Sequence, residues 1–108
     1  MLHRTQPPSL AELRTLLPAF CRRHGIRRLD IFGSAAAGVA APGSDVDMLV
    51  TPDESRPLST ADLIEMAGEA EEVVGAPVDF VLRGSLDKSR NRSAREHILS
   101  TADCVYGS

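Results

Sequence analysis

Along this chain lie three short runs typical of β-strands and two long segments of helical periodicity. The strand-like runs cover residues 27–32, 46–50 and 78–82, and a glycine or proline lies within two residues of an end of each. The helical segments cover residues 10–20 and 59–74. Short strands that alternate with longer helices are typical of the α/β class. The pattern therefore predicts the order helix, strand, strand, helix, strand, helix, with a small mixed β-sheet flanked by helices.

Capping signals indicate where the two long helices begin and end. Ser9 and Glu12 match a capping box at the start of the first helix. Pro18 interrupts the apolar pattern of that helix and predicts a kink, while Gly25 predicts its end. Gly75 predicts the end of the second long helix. The apolar face of the first helix, which we expect to pack on the sheet, comprises Leu10, Leu13, Leu16, Leu17 and Phe20.

The remaining segments are shorter. The sequence predicts a short helix over residues 34–38 and a loop over residues 40–44. Ser93 and Glu96 match another capping box, which predicts that a last short helix begins there. Asp30 precedes two apolar residues of the first strand, and we expect it at an edge or facing solvent rather than in a functional site.

Length and charge restrict the class of protein. A chain of 108 residues suits one compact domain, residues 1–108. Its 15 acidic and 12 basic residues give a net charge of -3, so no overall positive field favours nucleic acid or a membrane surface. Cys21 and Cys104 form no metal-binding pair or disulfide framework, and the chain start lacks an apolar signal region. These features predict a reduced, cytoplasmic protein without a membrane span.

Three carboxylates follow a pattern that suits a divalent metal. Asp45 and Asp47 are two residues apart at the start of a predicted strand, so their side chains share one face. Asp79 lies between two apolar residues on a strand that could lie beside the first, and supplies a third carboxylate. Like charges so close together favour a neutralising cation, and carboxylate oxygens suit Mg²⁺. We therefore predict a site for two Mg²⁺ ions that assist an in-line phosphoryl displacement.

A glycine and a serine precede these carboxylates and suit a triphosphate. Gly33 has no Cβ, so a phosphate can approach the backbone closely. Ser34 offers a hydroxyl and, at a helix start, backbone N–H groups. Together with the metal site, this turn predicts binding of a nucleoside triphosphate.

The motifs Phe32-Gly33-Ser34, Asp45-Val46-Asp47 and Val78-Asp79-Phe80 resemble those of the minimal nucleotidyltransferases of the DNA polymerase beta superfamily. The resemblance covers most of the chain. It implies a nucleotidyltransferase fold, metal-binding and catalytic roles for Asp45, Asp47 and Asp79, and transfer of AMP from Mg-ATP to a tyrosine of a partner HEPN-domain toxin. Resemblance to the closing helix and end strand of the family extends over Arg92, Arg95, Glu96, Ile98, Leu99, Val105 and Tyr106.

One position departs from the family pattern. Many members carry an arginine shortly after the glycine-serine turn, where this chain has Ala37. Loss of a cation that contacts phosphate weakens binding or turnover, because charge-assisted contacts are among the stronger ones. The basic residues that could take its place lie after the third strand: Arg83, Lys88, Arg90 and Arg92.

Two alternatives stay open. A catalytically silent antitoxin would act by stoichiometric binding of its toxin. A small hydroxylated molecule could instead be the acceptor, with its pocket completed by a helical partner. The scattered His3, His24 and His97 lack metal-ligand spacing and fit surface or helix-end positions.

Overall fold

The computed structural model describes residues 8–38 and 44–107. Four strands form one sheet in the order β3-β2-β1-β4, in which β1 is antiparallel to both neighbours and β2 is parallel to β3. This confirms the predicted mixed sheet flanked by helices. Along the chain the elements are α1 (Leu10–His24), β1 (Ile26–Phe32), α2 (Gly33–Ala37), β2 (Val46–Pro52), α3 (Thr60–Val74), β3 (Val78–Leu82), α4 (Arg83–Asp87), α5 (Arg92–Thr101) and β4 (Asp103–Gly107).

The capping residues predicted for the first long helix lie at the two ends of helix α1. The Ser9 hydroxyl accepts from the Glu12 N–H at 3.2 Å, and the Glu12 carboxylate accepts from the Ser9 N–H. Helix α1 continues through Pro18 and ends at Gly25. Most of the loop predicted over residues 40–44 lies outside the described residues.

The last part of the chain differs from the sequence prediction in two ways. Helix α5 begins at Arg92 with Asn91 as its cap, because the Asn91 side chain accepts from the Ala94 N–H at 3.0 Å. The capping box predicted at Ser93 is therefore wrong, and Ser93 lies in the first turn. The short helix α4 and the strand β4 also extend the predicted element order, although the family resemblance implied the end strand.

The two sheet faces are covered by different helices. Alternation along β2 directs Val46, Met48 and Val50 to one face, where all three are fully buried. Helices α1 and α3 cover that face and form the larger core. The smaller core on the other face is formed by Phe32, Leu49 and Leu86, with Val81, Ile98 and Ala102 packed against it. The carboxylates on the same face as Leu49 lie beyond this small core, at the end of the sheet.

Asp30 is buried rather than solvent-facing, with only 2% of its surface exposed. The prediction of an edge position is wrong because β4 pairs with the second side of β1 and makes it an interior strand. The Arg28 guanidinium donates to both Asp30 oxygens at 3.0–3.1 Å, so the buried carboxylate has a cationic partner. Among residues 8–38 and 44–107, no helix is long and apolar enough to cross a membrane.

Candidate active site

The ends of three strands meet at one edge of the sheet. Because β1 and β2 are antiparallel, Phe32 at the end of β1 pairs with Asp47 near the start of β2. Because β2 and β3 are parallel, Asp47 in turn lies directly opposite Asp79. The glycine-serine turn and two of the predicted carboxylates are thereby brought together from segments far apart in sequence. We refer to this region, Gly33, Ser34, Asp45, Asp47 and Asp79, as the carboxylate edge.

The backbone of Gly33 lies close to the Asp47 carboxylate. Its φ of +71° lies in the left-handed region, which side chains other than glycine rarely adopt. A Cβ added there would lie 2.6 Å from Asp47 Oδ2, which is too close for two non-bonded atoms. The absent side chain therefore leaves open the space in which the Asp47 carboxylate lies.

Among the described residues, no basic side chain lowers the pKa of Asp47 at the carboxylate edge. Burial raises the pKa of the Asp47 carboxyl, and the nearby Asp79 and Asp45 carboxylates raise it further. Asp47 is half-buried, whereas Asp45 and Asp79 are exposed. All of these effects disfavour the ionised form of Asp47, so a cation bound here would relieve both the repulsion and the cost of burial.

The donor chemistry of the carboxylate edge fits Mg²⁺, which prefers oxygen ligands and retains several waters. Among the described residues, no three histidine, cysteine or acidic side chains already converge on a single metal position. The exposed side chains of Asp45 and Asp79 would therefore turn toward Asp47 to share an ion. Of these three carboxylates, Asp47 is the most buried.

The N–H group of Gly33 has a partner that sequence reasoning missed. It donates to Thr101 Oγ1, at the end of α5, over 3.4 Å. A threonine at a helix end carries no sequence signal for such a contact, because the two residues are brought together only by the packing of α5 on the sheet. Ser34 follows in the first turn of α2 and is half-buried.

Two of the basic residues considered as substitutes for the family arginine are paired with other carboxylates. Arg83 follows the last residue of β3, whereas Asp79 is near its start, which separates their Cα atoms by about 13 Å at the usual rise of a strand. Arg83 is also paired with Asp87 at 3.0 Å. Arg92 is highly exposed and paired with Glu96 at 3.2 Å. Ala37 is exposed at the end of α2.

A cavity of about 220 Å³ lies at the opposite edge of the sheet. Its lining includes His24, which precedes β1, and Arg56, which follows β2. The carboxylate edge lies at the other ends of these two strands. This cavity is therefore separate from the predicted nucleotide site.

Comparison with known proteins identifies the family of this chain. Residues 13–100 match the nucleotidyltransferase domain family. The protein adenylyltransferase MntA of Thermococcus cleftensis is 35% identical over 82 residues, which cover 72% of this chain and 81% of that protein.

Two solved structures share the fold. A toxin–antitoxin structure with AMP-PNP has a TM-score of 0.70 at 18% identity, over 88% of this chain and 73% of that one. A complex of tri-AMPylated Shewanella oneidensis HEPN toxin with an MNT antitoxin has a TM-score of 0.64 at 15% identity, over 92% and 73%. The family match over residues 13–100 spans most of the sequence, and the chain belongs to the nucleotidyltransferase domain family.

Proposed function

We propose that this protein transfers AMP from Mg-ATP to a hydroxyl group, a tyrosine, of a HEPN-domain toxin, and acts as the antitoxin of that toxin in the cytoplasm. One observation carries the proposal: the Gly33 turn, Asp47 and Asp79 lie together at one edge of the sheet. The names of the similar proteins support the same reaction, since they include a protein adenylyltransferase and an AMPylated HEPN toxin bound to an antitoxin.

Asp45, Asp47 and Asp79 would hold two Mg²⁺ ions in this reaction. When bound, such ions stabilise the attacking and the leaving oxygen of an in-line displacement at phosphorus. Asp47 is the central ligand, because it lies between the Gly33 turn and Asp79 and is the most buried of the three. Asp45 and Asp79 would complete the ligand set from either side of it.

The glycine-serine turn would bind the triphosphate. Gly33 lets phosphate oxygens approach the backbone beside Asp47, where any Cβ would intrude. Ser34 would donate its hydroxyl and its backbone N–H at the start of α2. This places the phosphates on the same side as the carboxylates that bind the metal ions.

The acceptor hydroxyl would come from the partner protein. The cavity of about 220 Å³ lies at the far edge of the sheet and cannot present an acceptor to the carboxylates. Asp45 and Asp79 are exposed, so the carboxylate edge is accessible to another protein. In the displacement, the acceptor oxygen bonds to the α-phosphorus, pyrophosphate leaves, and the acceptor proton passes to solvent or to a carboxylate.

Incubation with the genomic neighbour, Mg²⁺ and α-labelled ATP tests the proposal. We expect Asp47→Asn to reduce labelling of the partner by at least about 100-fold. Mutation of residues that only hydrogen-bond to a metal's ligands already costs about 10–100-fold in metal affinity or activity, and Asp47 would be a ligand itself. Glu54→Gln is the control, because it removes an exposed carboxylate after β2, at the opposite end of the sheet. Equal labelling by wild type and Asp47→Asn would refute the metal-site assignment.

A catalytically silent antitoxin is the second candidate. The exposed Ala37 supports it, because it stands at the position where the family resemblance implies an arginine in many members. In that case wild type and Asp47→Asn would silence the toxin equally well by forming a complex, and no label would be transferred. Silencing that requires ATP and is lost in Asp47→Asn would rule this candidate out.

A further inference from the structure

The Thr101 hydroxyl at the end of helix α5 is hydrogen-bonded to the Gly33 turn. We propose that Thr101 is a positioning residue that holds this turn in its nucleotide-binding conformation and so couples the C-terminal helix to the site. The inference rests on the proposed function, since it assigns Thr101 to the same nucleotide site. Thr101 would act through Gly33 and does not itself belong to the metal-binding set.

The Thr101 hydroxyl can make two hydrogen bonds at once. Its oxygen accepts from the Gly33 N–H at 3.4 Å. Its hydrogen is donated within α5, to the carbonyl of His97 at 3.0 Å or of Ile98 at 3.2 Å. A hydroxyl has one hydrogen and two lone pairs, so both roles are compatible. The side chain therefore bridges the last turn of α5 and the turn that follows β1.

The residues next to Thr101 hold this bridge in place through their own packing and strand pairing. Ile98 and Ala102, on either side of Thr101 in sequence, pack against the small core that contains Phe32. Immediately afterwards, Asp103 pairs with Ile31 of β1. Thr101 is thus held next to the end of β1 by contacts before and after it.

Gly33 needs such an external restraint. A glycine has more backbone freedom than any other residue, and Gly33 adopts a φ of +71°. The hydrogen bond to Thr101 fixes the direction of the Gly33 N–H and hence the peptide plane that joins Phe32 to Gly33. Because the Cα of Gly33 faces Asp47 Oδ2, rotation of this plane would alter the space between the turn and that carboxylate.

Three variants test the role of the hydroxyl. Thr101→Val removes it and retains the side-chain shape, whereas Thr101→Ser retains it. Ser100→Ala is the matched control, because the Ser100 hydroxyl donates to the same His97 carbonyl at 3.0 Å, whereas the Gly33 N–H donates to Thr101. For each protein we would measure the affinity for AMP-PNP with Mg²⁺ by calorimetry, and thermal unfolding as a check of folding.

We expect Thr101→Val to bind AMP-PNP about 3- to 10-fold more weakly, the equivalent of one ordinary hydrogen bond. Thr101→Ser and Ser100→Ala should bind like wild type. Amide hydrogen exchange supplies an independent readout: the Gly33 N–H should exchange faster in Thr101→Val than in wild type or Ser100→Ala. Unchanged affinity and exchange in Thr101→Val, or equal losses in Thr101→Val and Ser100→Ala, would overturn the inference.

The Asp47→Asn variant distinguishes a failure of this inference from a failure of the proposed function. If wild type binds AMP-PNP and Asp47→Asn does not, but Thr101→Val binds normally, only the role of Thr101 is refuted. If wild type binds no AMP-PNP with Mg²⁺, the proposed function fails and the assignment of Thr101 to nucleotide binding fails with it.

Discussion

Gly33 and Asp47 lie so close together that a methyl group on the Gly33 Cα would be 2.6 Å from Asp47 Oδ2. The two residues come from the end of one strand and the start of its antiparallel neighbour. The absence of a side chain at Gly33 therefore leaves room for the carboxylate, because a Cβ there would occupy the space in which Asp47 Oδ2 lies.

A comparison of two glycines isolates this effect. Gly33 and Gly38 both have positive φ, +71° and +74°, but a Cβ on Gly38 would meet nothing within 4 Å. Alanine at either position should cost about 1–2 kcal/mol of stability for the left-handed backbone. Only Gly33→Ala also displaces the Asp47 carboxylate, so only this variant should lose affinity for AMP-PNP with Mg²⁺. Calorimetry with both variants tests this, and equal losses of affinity would contradict it.

Asp47→Asn should not destabilise the protein at neutral pH. The pKa of Asp47 is raised in the fold by burial and by Asp79 and Asp45. A raised carboxyl pKa means that stability is fully present below the unfolded pKa, about 4, and is partly lost as the pH rises through the folded value. The asparagine cannot ionise, so its free energy of unfolding should equal or exceed that of wild type at pH 7, without Mg²⁺.

Unfolding in urea as a function of pH measures this difference, which should vanish at acid pH where Asp47 is protonated in both states. Added Mg²⁺ should then raise the melting temperature of wild type and leave Asp47→Asn unchanged. Glu54→Gln serves as the control for loss of a negative charge. A lower stability of Asp47→Asn at pH 7, or an equal response to Mg²⁺, would argue against an uncompensated carboxylate edge.

Arg28→Ala should destabilise the fold by about 2–3 kcal/mol, because it leaves the buried Asp30 carboxylate without its cationic partner. The neighbouring Arg27 is exposed, so Arg27→Ala should cost less than about 0.5 kcal/mol. Chemical denaturation of both variants gives the comparison. The double variant Arg28→Ala/Asp30→Ala should recover part of the loss, and a double variant less stable than Arg28→Ala would contradict the charge argument.

The two cysteines should differ in reactivity. Burial raises the pKa of the fully buried Cys21 thiol to about 12, so almost none of it is thiolate at neutral pH. Cys104 is only half-buried. A thiol reagent should therefore modify Cys104 first in the native protein, and Cys21 only after unfolding. Mass spectrometry of partly labelled protein with Cys104→Ser as the control decides the order, and fast native labelling of Cys21 would refute it.

Local signals were sufficient to predict the long helices, the three strands and the pairing of carboxylates at Asp45 and Asp47. Helix caps depend on residues three positions apart, and the direction of strand side chains depends on residues two apart, so both can be read from neighbouring residues. The family resemblance likewise depended on short motifs, and the family match over residues 13–100 confirmed it. The roles of the individual site residues stay predictions.

Only the tertiary structure decided which of these segments meet. Three contacts join residues far apart in sequence: the parallel pairing of Asp79 with Asp47, the pairing of Asp30 with Cys104 of the last strand, and the hydrogen bond between Gly33 and Thr101. The direction of β3 likewise places Arg83 at the end of that strand, away from Asp79 near its start. Such placements depend on strand order and register, which arise from packing of the whole core rather than from any short stretch of sequence.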